Sequence, residues 1–246
     1  MIKSHHIVFI TIAGILSVLY CAIIGVGWQL WLAALFTYFC MGCLGITVTF
    51  HRKLTHNSYQ FKWKWMERLF AVFGSIAGTG SAAGWVALHR MHHLHSDTPQ
   101  DVHGPVKGWG NFYSEYDQDI KYVTVRDILS DPFYNWMHRE GLWVILAYYV
   151  ILFGLGGPVA LAIFGFIPQM MVGVISSLNN YFSHLAGYKT YETGDNSYNN
   201  WWLAIPTWGE SWHNNHHAKP WLYSFKHKWW EFDISAIVIE LVRKKP

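Results

Sequence analysis

The chain of 246 residues is 52% hydrophobic and 18% aromatic, with only 13% charged residues, about half the charged share of an ordinary soluble domain. A net charge of +3 without a continuous basic stripe argues against nucleic-acid binding. The three cysteines, Cys21, Cys40 and Cys43, fall inside apolar runs, so packing explains them better than a disulfide framework or a redox pair.

The charge deficit is concentrated in two places. No Asp, Glu, Lys or Arg occurs between Ser4 and His51, or between Gly141 and Tyr188. Each gap accommodates two membrane helices of about 20 residues. Gly25-Val26-Gly27-Trp28 interrupts the first gap and Gly154-Leu155-Gly156-Gly157-Pro158 the second. The expected architecture is all-α and integral to the membrane. Four transmembrane helices form two hairpins, with spans at about 7–24, 28–50, 142–157 and 158–181 and polar segments at 51–140 and 182–246, all within a single domain over 1–246. A signal peptide is disfavoured, because a second span follows the first with no small-residue cleavage site. Lys3, Arg52, Lys53, Lys62, Lys64, Arg68, Arg139, Lys189 and Arg243-Lys244-Lys245 flank the hairpins on the side of the termini, while the hairpin turns carry no charge. The positive-inside rule therefore puts termini and polar segments in the cytoplasm.

Leu69 to Leu88 is also uncharged and about as long as a span. Its Gly74, Ser75, Gly78, Thr79, Gly80, Ser81 and Gly84 suit close packing against protein, and both flanks, Arg68 and Arg90, are basic. A surface-lying or partly buried helix is expected there.

Histidine carries the chemistry. His51 and His56 stand in H-R-K-L-T-H, where span two should loosen; His89, His92 and His93 in H-R-M-H-H; His213, His216 and His217 in H-N-N-H-H; and His184 alone after the fourth run. Spacing i, i+3, i+4 puts three imidazoles on one helical face in each of the two triplets. Asn180 lies one turn before His184. Neutral imidazole is a common ligand of iron, copper and zinc. Nine are too many for one ion, and structural zinc usually recruits cysteine, which these segments lack. Two ions with open positions fit the count, iron being favoured if the chemistry is oxidative. Asp97, Asp101, Asp195 and Glu210 are candidate acceptors that orient the imidazoles from behind. His5 and His6 read as interfacial, His95, His138 and His227 as solvated or supporting, and His103 stays unassigned.

The order H-R-K-L-T-H, H-R-M-H-H-L-H-S-D-T, G-E-S-W-H-N-N-H-H resembles the membrane-bound fatty acid desaturases, closest to the Δ9 (stearoyl-type) acyl-CoA and acyl-lipid branch. The likeness runs from Gly45-Ile46-Thr47 to Trp229-Trp230-Glu231-Phe232-Asp233. It implies four transmembrane helices under a cytoplasmic helical cap that holds a di-iron centre. The implied ligands are His51, His56, His89, His92, His93, His184, His213, His216 and His217, with Asn180 reaching iron through water. The implied reaction uses O2 and two electrons to remove two hydrogens from a saturated acyl chain, leaving a cis double bond. The implied partners are an acyl-lipid, acyl-CoA or acyl-carrier substrate and a separate electron donor, a ferredoxin or a free cytochrome b5, since no cytochrome b5 domain is fused. A bacterial inner or thylakoid membrane is expected, or the endoplasmic reticulum in a eukaryote. Asp101-Val102-His103-Gly104-Pro105 and Gly108-Trp109-Gly110-Asn111-Phe112 depart from the Asp-Pro-His and aromatic-basic run usual in the family, which leaves the head group open.

An unactivated methylene has no acidic hydrogen, so its oxidation belongs to a cofactor while the protein supplies position and dryness. Insertion depth in an apolar tunnel then sets which carbon reacts. Trp85, one turn before His89, is the first lining candidate, with an interfacial anchor as the rival role; Trp208 and Trp212 follow, then Trp201 and Trp202. The alternatives are a di-iron hydroxylase or monooxygenase of lipids or alkanes, which histidine spacing does not separate from a desaturase, and a membrane metal or haem carrier. A carrier predicts ligands deep in the spans, yet none lies between Ile7 and Phe50. A zinc hydrolase lacks its H-E-x-x-H.

Overall fold

Among the described residues three stretches are helical, apolar and long enough to cross a membrane: His5–Ile23, Trp28–Thr55 and Pro132–Phe182. The computed structural model describes residues 4–103 and 122–245, so Gly104-Pro105 and the 108–112 run lie outside the described residues. Among the described residues all extended regular structure is helical.

Helix α1 (Ser4–Ile23) turns at Gly25 into α2 (Trp28–Tyr38), which continues without a break as a wide π-helical coil over Phe39–Thr55. The long third stretch has 51 residues. As one straight helix it would reach about 76 Å, more than twice the hydrocarbon thickness of a bilayer. It does not run straight. Helix α6 (Pro132–Ala160) loses helical geometry at Gly156 and at Gly157, whose φ of +59° suits glycine. A short π-helical turn (Leu161–Phe166) then leads into α7 (Ile167–Phe182). The two arms pack antiparallel, with the Tyr148 hydroxyl donating to the Phe164 carbonyl. Pro132 occupies the first turn of α6 and the Asp131 side chain accepts from Phe133 N at 2.9 Å; this cap starts the helix ten residues ahead of the expected 142.

The expected single helix over 69–88 is two. Helix α3 (Lys64–Ile76) and α4 (Ala82–His95) meet at a turn with Gly78 at φ +83° and Gly80 at φ +110°. Ser81 caps α4 by accepting from Gly84 N. The turn is held from the apolar side: Gln169 of α7, buried, donates to the Ile76 carbonyl at 2.7 Å and accepts from the Tyr149 hydroxyl at 2.7 Å. Non-helical backbone is tolerated among membrane helices where protein supplies its hydrogen bonds. Helix α3 lies against the π-helical coil, and a core of Tyr38, Met41, Ile46, Phe50, Val86 and Val172 fills the space beneath α4.

Beyond α7 the chain forms loops with three short helical pieces: a 3-10 turn (Trp201–Leu203), α8 (His213–Ala218) and α9 (Ile234–Val242). A one-turn helix α5 (Arg126–Leu129) precedes α6.

Candidate metal centre

Four pieces of backbone bring the histidines together. The i→i+5 bonding of the π-helical coil puts residues five apart on one face, so the His51 and His56 rings lie 4.9 Å apart. Helix α4 supplies His89, His92 and His93, the residues just after α7 supply His184, and α8 supplies His213, His216 and His217.

All nine predicted histidines assemble, and they sort into two groups. Ligating nitrogens of His51, His56, His89, His93 and His216 lie within 4.8 Å of one another, as do those of His92, His184, His213 and His217. The triplets divide between the groups. In α4 the i, i+4 pair His89 and His93 serves the group of five, and His92 the group of four. In α8 the pair His213 and His217 serves the group of four, and His216 the group of five. The two helices therefore interlock across both groups.

Each of the four expected carboxylates holds one imidazole. Nδ1 of His92 bonds Asp101 at 2.8 Å, that of His184 bonds Asp97 at 3.1 Å, that of His217 bonds Asp195 at 2.6 Å, and that of His51 bonds Glu210. Three of the four thus stand behind the group of four histidines. Burial raises Glu210, but His51 and the buried Arg52 outweigh it and leave the group ionised at neutral pH. Asp195 and Asp97 are likewise held below the usual carboxylate range, by His217 and by His184, against the effect of burial; burial raises Asp101.

A carboxylate acceptor on Nδ1 fixes the proton there and leaves Nε2 as a lone pair. Those lone pairs point inward. The Nε2 atoms of His56, His92 and His217 are buried without a hydrogen-bond partner among the described residues. His51 Nε2 faces His216 Nε2 at 3.1 Å, and His184 Nε2 faces His213 Nε2 at 2.9 Å. Burial, and next the neighbouring imidazoles, pushes His89, His92, His93, His213 and His216 well below 6.5 and His217 to about 4. Neutral, converging imidazoles with unsatisfied nitrogens are the donor set of transition-metal sites. The residues fit metal ions.

Arg52, expected as a flanking topology charge, is fully buried instead. Its guanidinium donates to Glu210 Oε1 at 2.8 and 3.0 Å and to both oxygens of Asp233 at 2.8 and 2.9 Å, and it lies 3.9 Å from the Phe225 ring centroid. Through Glu210 it fixes His51, and through Asp233 it ties in the cap of α9, whose Ala236 N donates to Asp233 Oδ1. Asn214 and Asn215 hold α8: Asn214 Oδ1 accepts from Thr190 N and Tyr191 N, and Asn215 Nδ2 donates to Phe225 O and Glu231 Oε2. The N-N pair between histidines was the available signal, since asparagine is a poor helix former that competes for backbone hydrogen bonds.

A cavity runs from the histidines toward the apolar helices, with Tyr38, Gly42, Ile46, Trp85, Asn180 and Trp208 on its wall. Trp85 stacks on His89 at 5.0 Å. Trp208 reaches the wall because its backbone is left-handed (φ +58°), and it packs against Tyr38 and Phe39. Trp212 is a correction: it is buried away from the cavity, packs on Trp230 and Phe232, and donates its indole N–H to Phe232 O. Trp201 and Trp202 are exposed and off the wall. His103 is buried at the cavity, 4.1 Å from the His92 ring. His138 bonds the Ser81 hydroxyl at the start of α4, apart from both groups.

Residues 27–233, a range that includes every histidine of both groups, match the sequence model of the Fatty acid desaturase family. The chain is 38% identical over 220 residues to the sn-1 stearoyl-lipid 9-desaturase of Anabaena variabilis, covering 85% of this chain and 79% of that one. It is 38% identical over 219 residues to the sn-1 stearoyl-lipid 9-desaturase of Synechocystis sp., covering 85% and 67%. It is 34% identical over 232 residues to the chloroplastic palmitoyl-monogalactosyldiacylglycerol delta-7 desaturase of Arabidopsis thaliana, covering 88% and 60%. The chain belongs to the fatty acid desaturase family. It is an oxidoreductase that introduces a double bond into a fatty acyl chain.

Proposed function

We propose that the protein is a Δ9 acyl-lipid desaturase with two iron ions, one held by the five imidazoles of His51, His56, His89, His93 and His216 and the other by the four of His92, His184, His213 and His217. The observation that carries this reading is the sorting of nine imidazoles, six buried and three half-buried, into two groups of metal-binding dimensions. Asn180, on the cavity wall one turn before His184, is assigned to the second ion through water. When bound, the ions supply the oxidising power, with O2 and two electrons, that an unactivated methylene demands. The chain's own residues do the rest. Asp97, Asp101, Asp195 and Glu210 fix the imidazole tautomers and ring planes. Trp85 and Trp208 shape the wall along which the acyl chain lies, and the apolar lining near Tyr38 and Ile46 excludes water from it. Depth of insertion then selects the carbon, which explains how relatives of similar sequence carry names with position 9 and position 7.

In this reading the 51-residue apolar stretch crosses the membrane twice, turning at Gly156-Gly157, for four spans in two hairpins within one domain. The charge asymmetry of the flanks supports a cytoplasmic cap. Relatives from cyanobacteria and a chloroplast favour a thylakoid or bacterial inner membrane and a membrane lipid as substrate. Electrons come from a separate ferredoxin or cytochrome b5.

Expression in a desaturase-deficient host, with double bonds located by mass spectrometry and metal measured on the purified protein, tests the proposal. The expected product lacks two hydrogens and is unsaturated at carbon 9, and iron co-purifies with the protein. A product that gains oxygen, or active protein without iron, would overturn it.

A further inference from the structure

A second cavity of about 330 Å³ lies between α1, the α3–α4 turn and α6, outside the metal centre. Its volume is in the range of ligand sites. One wall is α6 from Met137 to Tyr149, roughly 18 Å at 1.5 Å per residue. That wall is apolar, with Leu142, Ile145 and Leu146. The rim faces outward: Phe9 is 58% and Leu142 63% exposed. One edge is polar, with His6 and the bonded Ser81–His138 pair.

Two observations make this more than an apolar groove. Ser75 and Thr79 line the cavity, and these residues are only 5% and 4% exposed. Both hydroxyl oxygens are buried without a hydrogen-bond partner among the described residues. A buried, unmatched hydroxyl is unfavourable, so the pair is suited to an acceptor supplied from outside. Thr79 and Leu88 also line the cavity of the metal centre, so the two spaces adjoin.

We propose that the second cavity receives the non-reacting acyl chain of a two-chain glycerolipid substrate, with Ser75 and Thr79 donating to ester oxygens, while the reacting chain occupies the first cavity. The inference rests on the acyl-lipid reading above. An apolar wall that opens sideways matches a chain entering from the bilayer, the paired donors match the ester groups that join two chains, and adjoining cavities match a ligand with two arms. A single-chain substrate leaves the second space and both hydroxyls unused.

The probe is monogalactosyldiacylglycerol with stearoyl at sn-1 and a diazirine on the sn-2 chain, incubated with the whole protein, iron and an electron donor. Photolysis is expected to place adducts on Ile145, Leu146 or Ile10, and the stearoyl chain of the same lipid is expected to lose two hydrogens. A Cβ at Gly141 meets nothing within 4 Å, so Gly141→Phe fills the cavity without a clash at that atom. It should lower adduct yield and turnover of the two-chain lipid on the order of tenfold, because excluding a couple of methylenes from burial amounts to that. Gly141→Ala should behave as wild type, and Gly141→Phe should still desaturate 1-stearoyl lysolipid, which shows that it folds. Desaturation with adducts elsewhere overturns this inference alone. Adducts in the cavity with no desaturation of any lipid, but turnover of stearoyl-CoA, overturn the acyl-lipid reading and the assigned occupant together. Equal loss on one-chain and two-chain lipids in Gly141→Phe overturns the inference as well.

Discussion

His51 and His56 face each other at 4.9 Å between ring centroids although five residues separate them. In an α-helix, at 100° per residue, they would point about 140° apart. The π-helical coil of Phe39–Thr55 removes that divergence, and its side chains follow the same spacing: the Thr49 and Thr55 hydroxyls donate to carbonyls five residues back. Helix widening is thus what brings both imidazoles of H-R-K-L-T-H to one face.

Because the imidazoles fall into two groups, removing one ligand should disturb one ion first. His56→Ala and His92→Ala are each expected to lower iron content by roughly half, since a lost ligand weakens its own site most, and to abolish turnover while the protein still inserts. Metal analysis of the purified variants decides it. Complete loss of iron in both would mean that the nine imidazoles act as a single site.

Arg52 is the charge most consequential to lose. Arg52→Met removes the buried guanidinium that both Glu210 and Asp233 face, which is expected to cost about 3–5 kcal/mol and to loosen His51. Thermal unfolding in detergent and iron content should both fall, and Arg52→Lys should recover only part of each because it lacks the planar fork. Unchanged stability in Arg52→Met would show that the Glu210 and Asp233 contacts carry no net weight.

Acid should destabilise the metal-free protein. Burial keeps His89, His92, His93, His213 and His216 neutral in the folded state well below pH 6.5, and His217 down to about 4. The unfolded chain takes up protons on these groups below about 6.5, so it binds more protons than the folded one. Stability is therefore full above pH 6.5 and declines as pH falls toward the folded values. Unfolding midpoints of chelator-treated protein between about pH 5 and 8 should drop on the acid side, and a flat profile would contradict the neutral cluster.

Trp85 stacks on His89 at the cavity wall. Trp85→Leu should widen the cavity wall and let neighbouring carbons react, with discrimination between successive methylenes weakened by about tenfold. Double-bond positions in the products measure this. An unchanged profile would leave Trp85 a support for His89 only.

The charge-free runs made the apolar helices legible, and Gly156-Gly157 marked the turn in the second. The histidine triplets were legible because i, i+3, i+4 is a helical face, but which ring serves which group was not, since that depends on how α4 and α8 cross. The π-helical coil has no compositional signature. Gly78 and Gly80 were visible, yet the turn they make is fixed by Gln169, which is remote in sequence. Arg52 was read by sign alone, and its partners Glu210 and Asp233 lie 158 and 181 positions away. Trp208 and Trp212 sit in one short segment with similar sequence surroundings; Trp208, with a left-handed backbone, lines the cavity, while Trp212 packs on Trp230 and Phe232.

His51 and His216, near neighbours in the group of five, are separated by 165 positions. The first half of the cluster therefore emerges during synthesis long before its counterpart, and the loop between them closes only once that counterpart has been made. Assembly of the centre is a late event in biogenesis, and until α8 arrives the early histidines are exposed to any stray metal the cell contains. A chain truncated before His213 would keep its membrane helices and still lack a complete group of either kind.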